Sequence, residues 1–384
     1  MYFVKRLGLV CMIAVDASSN IGEGKDGLRG RGATTIEPTG SDTTTPDLDG
    51  DVTGIDVLGT TQPLEFEDID DYNDPFNPFT NRIGFPLHRA AWSGRLETAE
   101  RLLVQGADVT EADIEGVTPL MAAVHSGNLE LVALIVRRGV NVNQGDIVNG
   151  RTALIMALEY GSLDIANFLI NNGADVNQAR IDGYSPLMAS ARVDEVDLLI
   201  RAGAVIDQAD TDNQTALMSA AAFGLVDVVN RLIQAGADVN RTSLDGSTAL
   251  MRAASFSTVQ VVNRLIEAGV DVHRTWPDGR DALMMAAESG RLEVVVSLIE
   301  AGADVLHTSL DGETALIIAA RSANLCVVKR LIDAGADISQ ATRDGRTALG
   351  EVENQLASTS LYPQFRVKLM AVKEALTQLR YLLK

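Results

Sequence analysis

With 384 residues and 46% hydrophobic content, the chain is long enough for a substantial core, and only 4% of it is aromatic, so Ala, Leu, Val, Ile and Met must fill that core. Such a palette suits closely stacked helices and argues against a β-sandwich. A net charge of −20 excludes a general attraction to nucleic acid or to anionic lipid surfaces.

In chain order, Lys5 and Arg6 precede an apolar run from Leu7 to Val15 and then the small residue Ala17. That order resembles a short secretory signal peptide over residues 1–17. The run is too short to span a bilayer as a helix, so no stable membrane span is expected. Export to the periplasm or beyond the cell follows from this reading, with a cytoplasmic location as the alternative. Cys11 lies in the leader and Cys326 stands alone beyond it, so no intramolecular disulfide is expected.

Residues 18–80 carry fourteen acidic side chains against Lys25, Arg29 and Arg31, a net of −11. The segment is rich in Asp, Thr, Gly, Pro and Ser, and is predicted to be a disordered acidic linker. Its last part, from Pro63 to Phe79, places Phe66, Phe76 and Phe79 among acids and prolines. Such a stretch reads as plain linker or as a segment that docks on the solenoid or on a partner.

From residue 81 the sequence repeats. Leu87, Leu120, Leu154, Leu187, Leu217, Leu250, Leu283, Leu316 and Leu349 follow one another at intervals of 33, 34, 33, 30, 33, 33, 33 and 33 residues. Gly106, Gly139, Gly173, Gly203, Gly236, Gly269, Gly302 and Gly335 close the units in the same register. Two markers that keep one period define a repeat array.

The units read as helix, turn, helix and extended hairpin. Thr118 can cap a first helix with Pro119 at its first position, where a missing N–H costs nothing. Leu120 and the alanines after it form a narrow face for close helix approach. The second helices, as in Val226-Asp227-Val228-Val229-Asn230-Arg231-Leu232-Ile233, place apolar residues at helical spacing. Gly236 then stops the helix.

Quoted together, Glu115-Gly116-Val117-Thr118-Pro119-Leu120-Met121-Ala122-Ala123, Asp245-Gly246-Ser247-Thr248-Ala249-Leu250 and Gly236-Ala237-Asp238-Val239-Asn240 resemble the pattern of ankyrin repeats. The resemblance implies an all-α ankyrin-repeat solenoid, with a helix pair and a β-hairpin per repeat. Eight repeats and part of a ninth occupy residues 81–348. The amphipathic stretch within 349–384 is expected to be a C-terminal capping helix.

Two departures stand out. The family's His after the opening Leu is present only as His88, while Met121, Met188, Met218, Met251 and Met284 take its place; these read as core fillers. The unit at 180–209 lacks three residues around Ala191-Arg192-Val193-Asp194-Glu195, which predicts a shortened first helix, or a local notch that shapes a binding surface.

A search for chemistry finds no phosphate-cradling glycine loop, no paired-cysteine metal pattern and no nucleophile elbow. No catalytic residue, cofactor or metal is therefore assigned, His273 and His307 being too few ligands for a metal site. The resemblance implies a scaffold that binds a protein on the concave surface of hairpin tips and first helices, and the chain is expected to be a monomer. Its candidate residues are Trp92, Tyr160, Phe223 and Phe256 at first-helix ends, with Tyr184, Trp276, Arg280, Arg343 and Arg346 at hairpins. Aromatics and Arg are the types that carry interface energy. A regulatory or protective subunit beside an enzyme is the alternative function, and an enzyme of hidden chemistry the third.

Overall fold

The structure, a computed structural model, describes residues 86–357 and 362–382. The signal peptide expected over residues 1–17 and the acidic linker expected over 18–80 lie outside the described residues. First helices are α1 (Pro86–Trp92), α3 (Pro119–Ser126), α5 (Ala153–Glu159), α7 (Pro186–Ala189), α9 (Ala216–Phe223), α11 (Ala249–Phe256), α13 (Ala282–Ser289), α15 (Ala315–Arg321) and α17 (Ala348–Ala357). Second helices are α2 (Leu96–Val104), α4 (Leu129–Val136), α6 (Leu163–Asn171), α8 (Val193–Arg201), α10 (Val226–Gln234), α12 (Val259–Glu267), α14 (Leu292–Glu300) and α16 (Leu325–Asp333), and α18 (Pro363–Leu382) closes the described chain.

Each first helix packs on its own second helix and on the first helix of the next unit, and second helices pack on second helices. The result is a solenoid with one continuous core. The small residues explain why it can be continuous. Ala122, Ala123, Ala253, Ala254, Ala286 and Ala287 are fully buried, and their lack of side-chain bulk lets neighbouring first helices approach closely. Second helices bury a recurring triplet, such as Val228, Val229 and Leu232 on α10, while Asp227 stays outside.

First helices begin alike. Thr118, Thr152, Ser185, Thr215, Thr248 and Thr314 take extended backbone angles and accept a hydrogen bond from the amide three residues on. Each thereby satisfies a donor that the helix leaves open. The methionine column lies just inside this cap, with Met121, Met218, Met251 and Met284 each 1% exposed. These methionines are core.

Asp281 holds the same cap position on α13, accepting from the Met284 amide at 2.8 Å. It is buried, and burial pushes its carboxyl above the ordinary range, opposed by the Met284 N–H and the charge of His307. A carboxyl raised in the folded state adds stability at low pH that is lost as pH rises through the raised value. Asp281→Thr, which restores the neighbours' neutral cap, is expected to stabilise the protein by about 1 kcal/mol at pH 7. Urea titrations of both proteins at pH 4 and pH 7 should show that gain only at the higher pH.

Hairpins stack through backbone hydrogen bonds. The amides of Ile147, Ile181, Thr211, Leu244, Leu310 and Arg343 donate to Glu115, Asn149, Asp182, Asp212, Asp278 and Asp311 of the preceding hairpin, at 2.8–3.0 Å. Within hairpins the strand character reduces to isolated antiparallel bridges, such as Thr242 with Thr248 and Ala341 with Thr347. Asn side chains add struts between units: the Asn177 amide accepts from Val205 N at 2.8 Å and donates to Gly203 O at 3.2 Å.

The short unit keeps its place with a four-residue α7. Helix α8 follows after three residues, and the missing turn is replaced by side chains. The Tyr184 hydroxyl donates to Met188 O at 2.9 Å and Ser190 Oγ to Pro186 O at 3.2 Å, which satisfies carbonyls that a longer helix would have used.

At the other end, α18 stands where a ninth second helix would, packing on α17, α16 and α15. Leu369, Val372 and Leu376 are buried along one side, while Val367, Met370 and Tyr381 are exposed. The ninth unit thus has its helix pair, α17 with α18.

Candidate functional site

Positions at the ends of first helices recur on one face of the solenoid beside the hairpins. In the first units this face carries a linked row of rings and charges. Trp92 stacks on His125 with ring centroids 3.5 Å apart and planes inclined by 17°. His125 in turn meets Tyr160 edge-on at 5.3 Å, with Nδ1 3.1 Å from the Tyr160 hydroxyl. Arg151 lies over the Tyr160 ring at 5.5 Å and pairs with Glu159. Arg180 reaches Glu159 at 3.7 Å and Asp182 at 2.9 Å, and covers the Tyr184 ring at 5.2 Å. Three helix ends and two hairpins, from four consecutive units, therefore share one network.

The electrostatics follow from this crowding. Burial and the Arg151 charge hold His125 below the ordinary imidazole value, so at neutral pH it is a neutral ring suited to stacking between Trp92 and Tyr160. The Arg180 side chain is only 8% exposed, and Nε of both Arg151 and Arg180 is buried without a hydrogen-bond partner. These guanidiniums are fixed in orientation by rings and carboxylates. Such preset cations recognise carboxylates or planar groups at lower entropic cost than free surface arginines.

Of the candidate residues, Trp92, Tyr160 and Tyr184 come together in this row. Tyr160 is 42% exposed, while Trp92 and Tyr184 are partly buried against the core. Phe223 and Phe256, 45% and 71% exposed, end α9 and α11 beyond the short unit, which has no first-helix end to carry a ring between them and Tyr160. Trp276 and Arg280 form a separate pair, the guanidinium 5.1 Å from the ring centroid, and Arg280 also reaches Glu288 at 3.3 Å. In the last hairpin Arg346 pairs with Asp344 and Glu351, each at 3.1 Å, and Arg343 is exposed.

His125, Arg151, Glu159 and Arg180 were missed by the sequence reading. One signal was present: His125 follows Leu120 at the interval by which Trp92 follows Leu87. Among the described residues, no group of three or more His, Cys, Asp or Glu could hold a metal ion, and no helix is long and apolar enough to cross a membrane. Cys326 is exposed on α16.

Comparison with known proteins agrees with this architecture. The family model described as "Ankyrin repeats (3 copies)" matches residues 87–180, 177–243 and 241–309, and that of a single ankyrin repeat matches 311–343. Similar curated proteins include Probable E3 ubiquitin-protein ligase XBOS33 of Oryza sativa subsp. japonica, 39% identical over 71 residues, which is 18% of this chain and 14% of that protein. E3 ubiquitin-protein ligase XBAT33 of Arabidopsis thaliana has the same identity and the same coverage of both chains. Ankyrin repeat domain-containing protein 13D of Mus musculus is 41% identical over 61 residues, 16% of this chain and 10% of its own length. The chain thus matches no more than about a seventh of these relatives.

Proposed function

This chain belongs to the ankyrin-repeat family, and on that footing we propose that it is a non-catalytic scaffold holding a protein partner on the face of first-helix ends and hairpins. The observation that carries the reading is the row Trp92, His125, Tyr160 and Arg151, in a chain where aromatics are 4% of residues. Rings and oriented arginines concentrated on one face are the side chains that dominate interface energy. Phe223, Phe256, Tyr184, the Trp276 and Arg280 pair, Arg343 and Arg346 extend the candidate surface along the array. The ubiquitin-ligase activity in two relatives' names belongs to those proteins, which extend far beyond the matched segment.

The test is affinity capture from a lysate of the source organism. The full chain is compared with a variant carrying Trp92→Ala, Tyr160→Ala, Phe223→Ala and Phe256→Ala, after circular dichroism shows that both fold. A partner retained by the wild type is expected to bind the variant at least tenfold more weakly, about 1.4 kcal/mol. Equal retention would move the binding surface elsewhere.

A further inference from the structure

We infer that the hairpin edge of the array binds a cationic segment in the polyproline-II conformation, with an aliphatic side chain at every third residue, through the column Ile114, Ile147, Ile181, Leu244 and Leu310. The inference rests on the scaffold function proposed above and names the chemistry of its partner.

The column is defined by register. Ile147, Ile181, Leu244 and Leu310 each donate a backbone N–H to the hairpin before, and Ile114 holds the same place in the first hairpin, directly before its acid-glycine turn. These five aliphatic side chains are 56–75% exposed. A Cβ on Gly116 would stand 2.7 Å from Ile147 Cγ2, and one on Gly150 3.1 Å from Ile181 Cγ1. Each isoleucine thus lies over the glycine of the preceding hairpin, and the stripe runs on from unit to unit. The fold does not demand an aliphatic residue there, because Thr211 and Arg343 make the same backbone bond from the same position. Exposed aliphatics scattered singly are ordinary on a protein surface, whereas a stripe of them in register marks a contact surface.

Spacing selects the conformation of what binds. Packed helices lie about 8–10 Å apart, and the hairpins they carry advance by about the same step. A polyproline-II chain has three residues per turn and rises about 3.1 Å per residue, so every third side chain returns to one face after about 9 Å. One turn of such a ligand matches one unit of the array. A β-strand returns to the same face after about 6.6 Å and falls out of step with the column at the second hairpin.

Charge selects its sign. The first hairpin carries Asp108, Glu111, Asp113 and Glu115, and no Lys or Arg occurs between Arg101 and Arg137. Asp182 and Asp245 pair with Arg180 and Arg252 of their own units, while Glu111, Asp212 and Asp311 stand exposed in hairpins along the edge. A ligand with Lys or Arg between its aliphatic positions is drawn to this edge. A second copy of the chain would set its own acids against these, with a net charge of −20 on each molecule, and is disfavoured for that reason.

The probe that tests this is a fluorescein-labelled dodecapeptide of four Leu-Pro-Lys triplets, titrated with the full chain and followed by fluorescence anisotropy. Saturable binding is expected, weakened at least tenfold by Ile114→Ser, Ile147→Ser and Ile181→Ser together, with circular dichroism and melting showing that the array stays intact. Peptide controls against the unaltered protein make the result independent of how that variant folds. A peptide of the same composition with leucine at every second position should bind at least tenfold more weakly, and so should triplets with Glu in place of Lys.

Equal binding of either control overturns the proposal, as does equal binding by the triple-serine chain or no binding of the triplet peptide at all. A helical peptide with leucine at every seventh residue, which also repeats at about 10 Å, overturns the polyproline-II assignment if it binds more tightly than the triplets. The capture experiment alters first-helix aromatics and uses no synthetic peptide, so a failure of the one is distinguishable from a failure of the other.

Discussion

Replacing Gly183 by Ala is expected to destabilise the solenoid by about 3 kcal/mol, several times the cost of the same change at Gly173. Both glycines have positive φ, +82° and +91°, so both substitutions place a Cβ in a backbone region that L-residues avoid, at about 1 kcal/mol. They differ in what that Cβ meets. At Gly173 nothing lies within 4 Å, whereas at Gly183 it would stand 2.6 Å from Asp210 Cα and 2.8 Å from Thr211 N. Those are backbone atoms of the next hairpin and cannot rotate aside. The hairpin must move, and with it the bonds from Thr211 N and Thr211 Oγ1 to Asp182 O, at 2.9 and 3.0 Å. Since an array's stability is a sum of unit and nearest-neighbour terms, the loss falls on one interface. Urea unfolding of the two variants, with amide exchange at Thr211, measures it; equal losses would show that hairpin stacking adds little.

What the sequence made legible is what the array repeats. The leucine and glycine registers mark the same contact made again and again, so helix pairs, caps and the buried methionine column could be read from spacing. Features that replace a motif were hidden. Asn213 and Ala323 have φ of 57° and 58° where sister units have glycine, so the left-handed turn persists without its usual marker. Helix α18 fills a second-helix position with 20 residues where α16 has nine, a length that the repeat register does not announce. The candidate face was half readable: register brought out Trp92 and Tyr160, but Arg180 reaches Glu159 of the preceding unit, a pairing that no local spacing encodes. His125 was passed over because a solitary histidine suggests ligation or nothing, while its role here is that of a ring between two others. The deletion in the fourth unit was visible, but its compensation was not, because Glu195 resembles any surface acid on a second helix.

That compensation supports the other large effect, a loss of about 2 kcal/mol in Glu195→Ala. Glu195 is 1% exposed, at the third position of α8 after the shortened α7. Its Oε2 accepts from the amides of Ala191 and Arg192 at 3.0 and 3.1 Å, which is the back-reaching half of a capping box. Its Oε1 is buried without a partner. Alanine would free both amides and leave a void in a turn already short of residues.

Glutamine separates the carboxyl's charge from its shape. Burial raises the Glu195 carboxyl above its ordinary value of 4.5, despite the opposing bonds from Arg192 and Ala191. The group therefore adds stability below 4.5 that is lost as pH rises through its raised folded value. Glu195→Gln keeps an acceptor for the two amides and removes that loss. It should match the wild type near pH 4 and equal or exceed it at pH 7, while the alanine variant is weaker at both. Urea midpoints at the two pH values decide the matter. A glutamine variant as weak as alanine at pH 7 would mean that the carboxylate's charge, set at the positive N-terminal end of α8, holds the turn closed against its own desolvation.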